Sequence, residues 1–94
     1  MRTALLEVRY LASPLPHARI GVIVPRYGHT AVERNGVKRR LRDLARRELL
    51  PTLAVLDVVI RASPSAYAAS FDTLRTTLQA AASQLPRPSS KEVP

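Results

Sequence analysis

With 94 residues and no cysteine, the chain is long enough for one small domain with a modest core, and it cannot form disulfides or thiolate metal sites. Its apolar runs are too short to cross a bilayer, and charges interrupt the N-terminal segment where a signal peptide needs an apolar centre, so we expect a cytoplasmic protein without membrane association. A formal net charge of +8 at pH 7 indicates a polyanionic partner, for which nucleic acid is the first candidate.

Two strands are predicted near the N-terminus. Thr3–Leu11 mixes β-branched, aromatic and aliphatic residues with partial alternation, and Arg19–Val24 is a short run rich in Ile and Val. Between them, Pro14 and Pro16 remove backbone donors and fix the backbone, which favours a loop. Because only this loop separates the strands, we expect them to form an antiparallel pair.

A long helix is predicted after the second strand. Thr30 and Glu33 match the capping box, in which each side chain accepts a hydrogen bond from the backbone amide of the other residue. Pro51 bounds the helix, because the proline ring cannot continue the hydrogen-bond ladder. The apolar residues between these limits recur at helical spacing and predict one buried stripe, formed by Val37, Leu41, Leu44, Ala45 and Leu49.

The second half of the chain predicts one more strand and one more helix. Leu56–Ala62 is apolar in its middle, and the order strand, helix, strand implies that it runs parallel to Arg19–Val24 in one sheet. The second helix begins after Ser70 as its cap and should lie across the sheet through an apolar stripe. Residues 1–85 form the predicted domain, and the proline- and serine-rich residues 86–94 are predicted to be a disordered tail.

Most of the excess charge lies on the first predicted helix. Residues 34–47 carry seven basic side chains against the single acid Asp43. Successive cations on one face, at steps of four residues, lie about 6 Å apart along the helix axis, close to the spacing of successive phosphates. We therefore predict that the helix binds phosphates through two groups of cations, namely Arg34, Lys38, Arg42 and Arg46 along the face, with Arg39, Arg40 and Arg47 beside it.

The sequence offers no recognisable set of catalytic side chains. Neither histidine can be assigned a nucleophile and an acid partner, no general acid–base pair stands out, and the glycines match no nucleotide-binding fingerprint. We therefore predict no catalytic residue and no metal ligand in the protein. The turn before the helix adds Arg26, Tyr27 and His29 as candidate nucleic-acid contacts. Asn35 either bonds to the backbone, to RNA or to a neighbouring side chain, or is an exposed amide that the first turn tolerates.

Other classes of polyanion-binding protein fit the pattern less well. A DNA-binding regulator needs a short helix before its recognition helix, where this chain has the strand Arg19–Val24. Membrane binding needs bulky apolar anchors opposite the charges, whereas the apolar stripe here is one that a sheet should bury. A structural RNA- or ribosome-binding protein stays open as an alternative.

The basic helix and the strands on either side of it resemble the protein subunit of bacterial ribonuclease P. The signature of that family is an Arg-Asn-Arg motif, usually preceded by Ala-Val and followed by Lys-Arg and further arginines. The matching segment here reads Ala31-Val32-Glu33-Arg34-Asn35-Gly36-Val37-Lys38-Arg39-Arg40-Leu41-Arg42-Asp43. The strands Arg19–Val24 and Leu56–Ile60 also match in order and spacing, so the resemblance is strongest over residues 19–85.

The resemblance implies a fold of the α/β or α+β class: a two-layer sandwich with a small sheet and an unusual left-handed βαβ crossover, similar to domain 2 of ribosomal protein S5. It also implies that the N-terminal helix and first strand of the family are missing from this chain. Gly36 stands at the second Arg position of the motif. It removes one cation and costs about 1 kcal/mol of helix stability relative to alanine.

In functional terms, the resemblance implies an RNA-binding subunit of a ribonucleoprotein endoribonuclease. The catalytic RNA and the Mg²⁺ that it holds would remove the 5′ leader from precursor tRNA, and the protein would hold no cofactor. A single copy of the protein would bind both the catalytic RNA and the leader, the latter in a cleft between helix and sheet. The residues expected to contact RNA are Arg34, Asn35, Lys38, Arg39, Arg40, Arg42 and Arg46, with Arg26, Tyr27 and His29 as further candidates.

Overall fold

A three-stranded sheet and two helices make up the fold in the computed structural model, which describes residues 2–85. The main elements are β1 (Leu6–Ala12), β2 (Arg19–Ile23), α1 (Ala31–Leu44), β3 (Leu56–Ala62) and α2 (Phe71–Gln84). The helices cover one face of the sheet, so the predicted two-layer α+β arrangement is confirmed. The predicted disordered tail, residues 86–94, lies outside the described residues.

β3 is the central strand, because the order across the sheet is β1-β3-β2. β2 runs parallel to β3, as predicted. The predicted antiparallel pair of β1 and β2 is wrong, since β1 is instead antiparallel to β3 along its whole length, from Leu6 opposite Ala62 to Ala12 opposite Leu56. The central position pairs both backbone edges of β3, and four of its seven residues are buried, among them Val58, which is 1% exposed.

The N-terminal boundary of β1 differs from the prediction by three residues. The hydroxyl of Thr3 accepts hydrogen bonds from the amides of Leu5 and Leu6, at 3.2 and 3.0 Å. This local turn competes with strand pairing, so the strand begins at Leu6 rather than at Thr3.

α1 begins with the predicted capping box. The amide of Thr30 donates to Glu33 Oε1 over 2.8 Å, and the amide of Glu33 donates to the Thr30 hydroxyl over 3.2 Å. After α1 the chain continues as one turn of π-helix over Ala45–Leu49, called the π turn below. A short 3-10 turn over Leu50–Thr52, which contains Pro51, follows it. The predicted stripe is buried throughout, with Val37, Leu41, Leu44, Ala45 and Leu49 each at most 3% exposed.

α2 begins at the predicted cap, where the Ser70 hydroxyl accepts from the amide of Thr73 over 3.1 Å. Its buried residues, Leu74, Leu78 and Ala81, share one core with the inner face of the sheet and with the stripe of α1. Neither helix in the described part of the chain is both long and apolar enough to span a membrane.

Candidate nucleic-acid interface

The cationic side of α1 faces solvent because the opposite, apolar side packs in the core. Val37, Leu41 and Leu44 are buried, which directs the remaining faces of the helix to solvent. Three arginines on these faces, Arg39, Arg40 and Arg42, are exposed, and within residues 2–85 none of them has a carboxylate oxygen within 4.0 Å. Their guanidinium groups are therefore available to a phosphate.

Arg46 and Arg47 extend the cationic surface into the π turn. Both contact the same carboxylate, that of Asp43, at 3.3 Å, and their side chains are 74% and 65% exposed. Ion pairs this exposed contribute little and can be exchanged for a phosphate at small cost. Since Arg46 lies in a π turn, its step from Arg42 differs from the regular α-helical step that the sequence predicted.

Arg34 has a structural role that the sequence did not reveal. It is only half-exposed, and its Nε donates to the carbonyl oxygen of Val24 over 2.8 Å. Its Nη1 donates to Asn35 Oδ1 over 3.2 Å, so the partner of Asn35 is a neighbouring side chain, one of the three predicted alternatives. Arg34 thus joins the first turn of α1 to the end of β2, and Lys38, one turn later, is also half-buried.

The turn before α1 brings together aromatic rings. The rings of His29 and Tyr67 are stacked, with centroids 3.8 Å apart and planes within 2°. The ring of Tyr27 meets that of Tyr67 edge-on, at 6.4 Å and 87°. Both tyrosine hydroxyls donate to backbone carbonyls, that of Tyr27 to Ala62 over 2.9 Å and that of Tyr67 to Pro25 over 2.7 Å. Sequence reasoning missed Tyr67, because no local pattern relates it to residues about forty positions earlier.

Glu33 supports this turn electrostatically. It accepts the amide of Thr30, and its other carboxylate oxygen lies 3.3 Å from His29 Nδ1. The hydrogen bond from the Thr30 backbone, with a smaller contribution from the His29 side chain, lowers the pKa of Glu33 below its ordinary value. The carboxylate is therefore held in its ionised form at the N-terminus of α1, where negative charge also suits the helix dipole.

A cleft of about 630 Å³ separates α1 from the edge strand β2. Its floor is apolar, formed by Ala18, Ile20 and Val22. Its wall carries Arg39, Arg40, Arg42 and Arg46 together with the acid Asp43. Apolar surface beside cations suits a single nucleic-acid strand, whose bases and phosphates need these two kinds of contact. Among residues 2–85, no three His, Asp or Glu side chains come together as a metal site would require.

A mixed three-stranded sheet, whose two parallel strands are connected by a helix with exposed arginines, defines a small α+β protein with a cationic surface. Residues 1–86 match the family model described as Ribonuclease P. The chain belongs to the ribonuclease P protein family.

Individual relatives agree with this assignment. The chain is 44% identical over 73 residues to the ribonuclease P protein component of Thermus aquaticus, covering 78% of this chain and 42% of that protein. It is 37% identical over 97 residues to that of Arthrobacter sp. (strain FB24), covering 95% and 71%. The chain spans about half the length of several curated relatives that it matches.

A solved structure agrees in fold. The RNase P protein from Thermotoga maritima superposes with a TM-score of 0.79 at 21% identity, over 92% of this chain and 82% of that one. At this level of identity the likeness establishes the fold.

Proposed function

We propose that this chain is the RNA-binding protein subunit of a ribonuclease P ribonucleoprotein, in which it assists a catalytic RNA in removing the 5′ leader from precursor tRNA. The observation that carries the proposal is the row of exposed arginines on α1, three of them without a carboxylate partner among residues 2–85, in a chain of this family. We place the complex in the cytoplasm, with one copy of the protein.

The α1 surface supplies the affinity for the catalytic RNA. Guanidinium groups grip phosphates bidentately, and the buried stripe and capping box hold the helix rigid, so little ordering is needed on binding. If the five exposed arginines of α1 and the π turn each neutralise one phosphate, log affinity falls with log salt at a slope of roughly −3.5 to −4.5.

The cleft between α1 and β2 is our candidate for the leader. A single strand lying there places bases on Ile20 and Val22 and phosphates on the arginine wall. Such contacts read backbone and ring surface rather than base edges, so they tolerate leaders of different sequence.

The chemical step belongs to the RNA in this proposal. The RNA and the Mg²⁺ that it holds would supply the hydrolytic chemistry, which leaves a 5′-phosphate on the tRNA. The protein residues bind and orient both RNAs, and they neutralise phosphate repulsion where the two strands approach one another.

The test is cleavage of precursor tRNA by the cognate catalytic RNA at low Mg²⁺, with and without the protein. We expect the protein to stimulate cleavage and Arg39→Gln to weaken this stimulation. Arg9→Gln removes the same charge from an exposed side chain on the far face of the sheet and serves as the matched control. A folded protein that fails to stimulate cleavage contradicts the proposal, and sequencing of co-purified RNA then shows whether ribosomal RNA is bound instead.

A further inference from the structure

Aromatic residues are scarce in this chain, yet they cluster at one point. The sequence has three tyrosines, one phenylalanine and no tryptophan. At the N-terminal end of α1, the ring of Tyr67 contacts both the Tyr27 ring and the His29 ring. We call these three residues the ring cluster.

The ring cluster is rigid. Each tyrosine hydroxyl is tied to a backbone carbonyl, and His29 is held between the Tyr67 ring and the Glu33 carboxylate. Tyr27 has φ 49°, in the left-handed region, which is costly for a bulky residue. Such strain persists only where surrounding contacts hold it, and it is concentrated at binding sites.

The ring cluster is also partly exposed to solvent. Tyr27 is 42% exposed, and the His29 side chain is 35% exposed although Tyr67 stacks against its ring. Arg26, beside it, is exposed and supplies a cation for a phosphate. The nearby acid, Glu33, accepts a hydrogen bond from the amide of Thr30 and contacts His29 Nδ1, so both of its carboxylate oxygens have partners.

We propose that the ring cluster binds one unpaired nucleobase of RNA, which extends the His29–Tyr67 stack, while Arg26 contacts the adjoining phosphate. This inference rests on the proposed function and adds a base-stacking site to it. The hydrogen bonds of the two tyrosine hydroxyls are enough to hold the turn in place, so the His29–Tyr67 stack is not needed for that purpose. A parallel stack that ends at a partly exposed ring presents the flat surface that proteins use to bind unpaired bases. Arg39, the first of the exposed arginines, lies about 14 Å along α1 from the N-cap Thr30, so one RNA strand of a few nucleotides can reach both.

The experiment uses a single-stranded oligouridine carrying one 2-aminopurine, a base whose fluorescence falls on stacking, moved through successive positions. His29→Leu removes the aromatic ring, whereas His29→Phe keeps one. Both substitutions remove the contact between residue 29 and the Glu33 carboxylate. We expect the wild-type protein and His29→Phe to quench the probe at one position. His29→Leu should lose the quenching and bind roughly 5- to 100-fold more weakly.

Circular dichroism and the melting temperature establish that both variants are folded. The inference is overturned if His29→Leu quenches and binds like the wild type, if His29→Phe fails as His29→Leu does, or if the wild type binds without quenching at any position. A wild-type protein that does not bind the probe also overturns it. Stimulation of precursor tRNA cleavage in that case still supports the proposed function, so the two failures are distinguishable.

Discussion

Arg34 Nε lies 2.8 Å from the carbonyl oxygen of Val24, to which it donates a hydrogen bond. The contact joins the first turn of α1 to the residue that follows β2. A side chain that belongs to the cationic signature of the family therefore also sets the position of the helix that carries the other cations.

Replacing Arg34 should cost stability as well as affinity for RNA. Arg34→Gln removes a charge-assisted bond to a carbonyl of a buried residue, which we expect to lower the free energy of unfolding by about 1–3 kcal/mol. Arg39→Gln is the control, because that side chain is exposed and should change stability by at most about 0.5 kcal/mol. Urea denaturation measures both, and equal stabilities would show that the Val24 contact contributes nothing.

Gly36 should be replaceable by alanine with a gain in stability. A Cβ built at Gly36 meets no atom within 4 Å, and the residue lies inside α1, so Gly36→Ala should raise the free energy of unfolding by about 1 kcal/mol. Gly28 is the matched contrast: it has equal space but φ +87°, so Gly28→Ala should be destabilising. Thermal and urea unfolding of the two variants should move in opposite directions.

Gly36→Arg should strengthen binding to the catalytic RNA. The substitution completes the Arg-Asn-Arg motif in open space, and one added phosphate contact should steepen the salt dependence of log affinity by about 0.7–0.9. Gly36→Gln has a polar side chain without the charge and should leave the slope unchanged. Titrations at several salt concentrations measure the slope, and identical slopes for the Arg and Gln variants would mean that this position does not face RNA.

Glu33 should contribute to the stability of the fold at neutral pH, and this contribution should fall as the pH is lowered. Its pKa is lowered in the folded protein, chiefly by the Thr30 amide and then by His29, so folding favours the ionised form. The contribution is complete above the ordinary pKa of 4.5 and is lost as the pH falls through the lower folded value. Glu33→Gln should thus be less stable than the wild type at neutral pH, and the gap should narrow with acidification. A difference in melting temperature between Glu33→Gln and the wild type that stays constant from pH 7 to pH 3 would argue against this role.

The local features of this fold and the parallel pairing of β2 with β3 were predictable from sequence, while the partner of β1 was not. The capping box at Thr30 and the cap at Ser70 depend on residues three positions apart, so the sequence contains all that determines them. The partner of β1 is decided by the competition between the nearby strand β2 and the strand β3, about fifty residues away. The two-proline loop after β1 gives no sign of the outcome.

Some features of the candidate interface were likewise predictable from sequence, and others were not. Exposure of Arg39, Arg40 and Arg42 follows from the helical period, which fixes the faces opposite the buried stripe. The inward bond of Arg34 and the stacking of His29 on Tyr67 depend on where β2 and the 3-10 turn Pro64–Tyr67 lie in space. Side-chain contacts of this kind need the tertiary structure.

The central place of β3 also constrains the order in which the protein can mature during synthesis. β1 and β2 have no ladder with each other, so a nascent chain ending before Leu56 has no sheet to form. The residues of α1 have been synthesised at that stage, but those of β3, which complete the core under α1, have not. The arginines thus leave the ribosome before the scaffold that positions them is complete, and we expect selective binding of RNA only after β3 has paired with β1 and β2.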